Sequence, residues 1–156
     1  MLATNTKLPV ASLAWVQDLI QANIDSRDGL KEAIANLPPG ASALAMLLSR
    51  VAEERADQAT ELQELVIAND ELPQHSGSLT ATAFRMWMDL RTALVGGEQA
   101  LLEEAERSED YIQQRYERAL AELRGCPCTE VLRRHYDAIK DCHTAIRAFR
   151  DAVAAR

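Results

Sequence analysis

The sequence predicts an all-α protein, a four-helix bundle made of two antiparallel hairpins joined by a long crossover that contains a short extra helix. Three observations predict it. Ala and Leu are abundant while aromatic residues make up 4% of the chain, a balance that favours helix over strand. Apolar residues recur at three- and four-residue steps through four long stretches, with no extended β-branched run to compete. The breakers make two short loops and one long polar connection. At 156 residues the chain suits a single domain, 1–156, with a core of its own.

The first helix is expected over about residues 12–36, with Ser12 as an N-cap candidate. It aligns Leu13, Val16, Ile20, Asn23, Arg27, Leu30 and Ile34. Pro38, Pro39 and Gly40 end it, because proline cannot continue a helix. The second, over 42–69, aligns Leu44, Leu48, Val51, Arg55, Gln58, Leu62 and Leu65. Residues 69–78 have the composition of a loop and lead to a shorter helix over 79–95, stopped by Gly96 and Gly97. Its bulky side chains, Phe84, Met86, Trp87 and Met88, suit packing on the bundle better than a ligand pocket. A third long helix, over 98–123, ends at Gly125 and Pro127. The fourth, over 129–153, aligns Val131, His135, Ala138, Cys142, Ala145 and Phe149, with Ile139, His143 and Ile146 on the adjoining line. Short loops make helices one and two, and three and four, antiparallel hairpins, whereas the connection between two and three can run the length of a bundle.

The apolar stripes are interrupted in the middle. On helix three, Leu102, Ala105, Ile112, Tyr116 and Ala119 keep helical spacing, and Glu109 fills the slot between Ala105 and Ile112. Asn23, Arg27, Arg55, Gln58, Glu109 and His135 each fall near the midpoint of their own helix, so side-by-side packing gathers them into one polar layer. A carboxylate there needs a partner, since unpaired it costs several kcal/mol or takes up a proton. An arginine, Arg27 or Arg55, would form a buried ion pair that sets helix register. Alternatively, Glu54, Glu106, Glu109 and His143 would offer hard oxygens and one imidazole, a ligand set suited to iron or manganese. Against the metal stands the absence of any Glu-x-x-His, which two helices of a carboxylate-bridged dinuclear bundle each supply. Asp57 stands three residues after Glu54, and Lys140 three before His143. The ion pair is the preferred reading, with no catalytic residue and no bound cofactor expected. His135 alone reads as a hydrogen-bonded core residue, and His75 as a loop residue.

A net charge of −7, with basic residues interleaved among acids, disfavours nucleic acid as a partner. The opening "MLATNTKLPVASLAWVQ" lacks the pattern of a signal peptide, and no run approaches the roughly 20 apolar residues of a membrane span, so a cytoplasmic protein with no membrane partner is expected. Its three cysteines, Cys126, Cys128 and Cys142, are then free thiols. Cys126-Pro127-Cys128 lacks the two-residue spacing of common zinc and thioredoxin-like motifs and reads as an interhelical turn. Gly96-Gly97 lacks the Lys-Ser/Thr of a phosphate-binding loop.

The segments "LIQANIDSRDGLKEA", "EERADQATELQELV", "SGSLTATAFRMWMDLRTALVGG", "LLEEAERSEDYIQQRYERAL" and "DAIKDCHTAIRAFRD" together resemble a bacterial family of ferritin-like four-helix-bundle proteins of unknown function, distantly similar to rubrerythrins and ferritins. The likeness spans residues 12–153. Its more specific part is the tryptophan-containing connecting helix followed by the acidic segment that holds Glu104, Glu106, Arg107, Glu109 and Asp110, with His143 on the final helix. The resemblance implies a role in stress or metal handling, and the missing Glu-x-x-His pairs speak against ferroxidase or peroxidase chemistry. The expected function is therefore a non-catalytic bundle that self-associates, as a homodimer, or binds a protein partner, with Trp15 and Trp87 as candidate anchors. The competing expectation is an iron- or manganese-dependent oxidoreductase or metal store using Glu54, Glu106, Glu109 and His143. A thiol sensor using Cys126, Cys128 or Cys142 is a third.

Overall fold

The computed structural model describes residues 7–75, 88, 89, 92 and 95–156. Four long helices build it: α1, Val10–Ala35; α2, Ser42–Ile67; α3, Glu98–Glu122; and α4, Thr129–Ala154. The short helix expected over 79–95 lies mostly outside the described residues, of which Met88, Asp89, Thr92 and Val95 are helical and exposed; Trp87 lies outside them. Helix α1 begins two residues ahead of Ser12. Pro9, with φ −57° and ψ 151°, is its N-cap and makes no side-chain cap bond, while the Pro9 carbonyl accepts from the Leu13 N–H at 3.0 Å. Proline's fixed φ starts the helix, and Ser12 is left as a buried residue within the first turn.

Helix α1 packs on α2 and α3, and α4 packs on α3 and α2, so α1 with α4 and α2 with α3 are the diagonals of a four-helix bundle. Its core has two apolar ends. One joins Leu13, Val16 and Ile20 of α1 to Leu62 and Val66 of α2, Ala119 and Leu123 beside α3, and Leu132 of α4. The other joins Leu30 of α1 to Leu44 and Leu48 of α2, Leu101 and Leu102 of α3, and Ile146 of α4. The start of α1 thus meets the end of α2, the end of α3 and the start of α4. Every adjacent pair is antiparallel, and the connection from α2 to α3 must travel from one end of the bundle to the other, about 38 Å for a helix of this length. That is the crossover the loop lengths predict.

The connection leaves α2 under control of two glutamines. Gln17 of α1 donates to Leu72 O at 2.7 Å and accepts from the Gln74 N–H at 2.9 Å, while Gln63 of α2 donates to Gln74 O at 2.7 Å. Residue 74 is therefore held between the two helices of the first hairpin. At the opposite side of this end, the α3–α4 turn passes through Gly125 with φ 77°, a left-handed conformation that suits glycine.

Three expected alignments shift. On α4 the buried line is Leu132, His135, Ile139, Cys142 and Ile146, one residue round from the line that begins at Val131. On α2, Val66 is buried in place of Leu65. On α1, Arg27 leaves the interior and pairs with its neighbour Asp28, Nε to Oδ1 at 2.9 Å, while Ser26 is buried.

Candidate functional site

Between the two apolar ends lies a polar layer. Arg55 of α2 and Glu109 of α3 are its centre, with side chains 0% and 1% exposed. They stand on diagonal helices, so only a long side chain crossing the axis can join them, and the Arg55 guanidinium donates through Nη2 to Glu109 Oε2. Arg55 Nη1 donates to Gln58 Oε1 at 2.7 Å, and Gln58 Nε2 reaches His135 O on α4 at 3.5 Å. Three helices are thereby tied through one guanidinium. Satisfaction is incomplete: Arg55 Nε, Glu109 Oε1, Asn23 Oδ1 and Ser26 Oγ are buried without a hydrogen-bond partner. Burial pushes the Glu109 carboxyl above the usual range against the opposing pull of Arg55.

One helical turn away, a second chain of groups runs from the core to the surface. Asn23 Nδ2 donates to Leu19 O and to the Tyr116 hydroxyl, each at 2.8 Å. Tyr116 Oη lies 3.1 Å from His135 Nδ1, and His135 Nε2 lies 2.9 Å from Glu61 Oε2. The donors fix the protons. Glu61, which also accepts from Arg134, has its carboxyl lowered to about 2, chiefly by that arginine, so it is ionised and His135 Nε2–H must donate to it. Burial pushes the His135 imidazole down, which leaves it neutral with Nδ1 as the acceptor of the Tyr116 hydroxyl proton. Burial likewise raises the Tyr116 phenol. Asn23, Tyr116, His135 and Glu61 thus form one oriented chain of hydrogen bonds across all four helices.

The residues with metal-ligand chemistry are partly gathered. Glu106 is buried on α3, accepting from Arg147 Nε at 2.9 Å and from Arg150 Nη1. His143 Nε2 lies 3.7 Å from Glu106 Oε1 and 2.7 Å from Asp110 Oδ1, without the alignment of a hydrogen bond to either. Glu109 faces Arg55, and Glu54 is half-buried on α2, its charge acting with that of Glu109 to raise the Cys142 thiol, whose larger shift comes from burial. Each buried carboxylate already holds a guanidinium, which a metal ion would have to displace. Among the described residues no three or more His, Cys, Asp or Glu side chains are placed to hold a metal ion together. The donor set therefore does not fit the dinuclear pattern.

Sequence periodicity finds Asn23, Arg55, Gln58, Glu109 and His135, and misses Ser26, Glu61 and the Tyr116 hydroxyl. Glu61 sits one residue from the buried Leu62, and its partner His135 is the seventh of the 26 residues of α4 rather than near its midpoint, so the pairing is legible only once the register of α2 against α4 is known. Asp18 and Arg115 are a further missed pair, joining α1 to α3 beside Trp15.

The fold and site define an all-helical, charge-centred four-helix bundle. The chain belongs to the family described as a domain of unknown function, DUF2383, whose model matches residues 13–122. The match takes in α1, α2, the crossover and α3, and stops before α4. No curated protein matches the chain. No helix among the described residues is long and apolar enough to cross a membrane.

Proposed function

We propose that this domain is a ferritin-like bundle that works by association, as a homodimer or with a protein partner, and that arginines fill the place of an interior metal. What supports the reading is the ion-pair centre: Arg55 on Glu109, and Arg147 with Arg150 on Glu106. A bundle whose inward acids are neutralised by its own side chains has its interior committed to structure, which leaves the surface for function. The surface offers a shallow groove between α1 and α3, lined by Ala14, Trp15, Asp18 and Arg115. Trp15 is half-buried there against the core, and tryptophan is among the side chains that most often carry interface energy. A cytoplasmic scaffold acting in stress response would use such a face.

Sedimentation velocity across a hundredfold concentration range tests this. A concentration-dependent dimer that Trp15→Ala weakens at least tenfold, with helicity unchanged, is the expected result. A strict monomer that captures no partner overturns the association reading. Stoichiometric iron or manganese retained after dialysis, and lost in Glu109→Gln, would replace it with the metal reading.

A further inference from the structure

We propose that Cys126 and Cys128 are a peroxide-responsive dithiol, which a hydroperoxide converts into a Cys126–Cys128 disulfide. The α3–α4 loop closes with a turn in which the Thr129 N–H donates to Cys126 O at 3.0 Å. Cys126, Pro127, Cys128 and Thr129 are its four residues. Cys128, in the third place, has φ −76° and ψ −11°, near the values of a type I turn, whose second place favours proline. Such a turn folds its first and third Cα atoms within the roughly 4.4–6.8 Å that a disulfide spans. The Cys126 sulfur already lies over the Cys128 backbone, whose N–H donates to Cys126 Sγ at 3.4 Å.

Exposure divides the labour. Cys126 is partly exposed, while Cys128 is buried among the apolar side chains at this end of the bundle. Burial pushes the Cys128 thiol up to about 12, which keeps it protonated and leaves the first encounter with peroxide to Cys126. The Cys126 sulfur attacks the terminal oxygen of R–O–O–H, the O–O bond breaks, ROH leaves, and Cys126 becomes a sulfenic acid. The Cys128 sulfur then displaces the sulfenic hydroxyl, which departs as water with the Cys128 proton. Two thiols and one hydroperoxide give one disulfide, one alcohol and one water; the sulfurs lose two electrons and the peroxide gains them. Cys142 takes no part, because it packs in the opposite apolar end, about 21 Å further along α4 at helical rise. Cys128 is also the N-cap residue of α4, so the new bond draws a core side chain outward where that helix begins.

The reduced full chain is treated with one equivalent of hydrogen peroxide, alkylated under denaturing conditions and digested with trypsin. Cleavage after Arg124 and Arg133 leaves both cysteines in the peptide 125–133, and Cys142 in another. The expected 125–133 peptide is lighter by two hydrogens, carries no alkyl group and regains both alkylation sites after dithiothreitol, while the Cys142 peptide is alkylated throughout. In Cys128→Ser, Cys126 is captured as the sulfenic acid by dimedone. Full alkylation of the wild-type peptide, Cys126 driven to sulfinic acid beside a free Cys128, or a main product linked through Cys142 or to a second chain overturns the proposal, and each is read on the wild-type protein.

Discussion

Removing the Glu109 carboxylate should be among the most damaging single changes in this bundle, and removing its partner as well should largely repair it. In Glu109→Leu the Arg55 guanidinium stays at 0% exposure with Gln58 as its remaining partner. An uncompensated buried charge of this kind costs about 3–5 kcal/mol, a large share of the roughly 5–15 kcal/mol that holds a domain folded. With a urea m-value near 2 kcal/mol/M, a loss of about 4 kcal/mol moves the unfolding midpoint by about 2 M. Arg55→Met combined with Glu109→Leu removes both charges and the unpaired Nε and Oε1 atoms. It leaves the Gln58 side-chain oxygen without its donor, at about 1–3 kcal/mol, against an apolar gain of about 1–4 kcal/mol. The double variant should therefore lie between about 2 kcal/mol less stable and about 3 kcal/mol more stable than wild type. Urea titration followed by circular dichroism at 222 nm and pH 7 reads the whole cycle. A Glu109→Leu loss below about 1 kcal/mol, or a double-variant loss equal to the sum of the two singles, would refute the claim that these groups neutralise each other in the core.

Glu106→Gln should behave differently although its carboxylate is almost as buried, because the Arg147 side chain is 56% exposed and that of Arg150 27%; both stay solvated, and the same titration should show a loss under about 1 kcal/mol. Tyr116→Phe strips His135 Nδ1 of its donor while Asn23 keeps its bond to Leu19 O, and should cost about 1–3 kcal/mol by thermal or urea unfolding. His135 gives the pH dependence its sign. Its imidazole is held below the ordinary value of 6.5 by burial, with Glu61 pulling the other way and Arg134 and Arg55 adding to the depression, and Tyr116 facing its second nitrogen. The unfolded chain then binds the proton first, so stability is whole above pH 6.5 and falls as pH drops through that value, by at most about 1.4 kcal/mol per unit. Glu61, lowered from 4.5 to about 2, loses its contribution only below 4.5, and the raised Glu109 acts in the opposite sense in both proteins. Comparing wild type with His135→Gln between pH 5 and 7 isolates the histidine; equal slopes would show that it titrates alike folded and unfolded.

The bundle was legible because helix periodicity and breaker spacing are local properties, and the two short loops with one long connection leave few ways to pack four amphipathic helices. Glu109 was legible for the same reason, as a charge in an otherwise apolar stripe. Which arginine answers it was not. On α1 the stripe holds Asn23 and then continues through Ser26, Leu30 and Ala33, because facing helices that stay in contact drift by about 20° per heptad relative to a straight 3.6-residue repeat. That drift carries Arg27 to the flank, where it meets Asp28, and leaves Arg55 on the axis. The same rotation selects Leu132 over Val131 on α4. Since Arg55 and Glu109 occupy diagonal helices that share no backbone contact, their union depends on the register of all four helices at once. A polar layer can thus be read one helix at a time, whereas its pairings are a property of the assembled bundle, and the Arg55–Glu109 cycle measures that collective register directly.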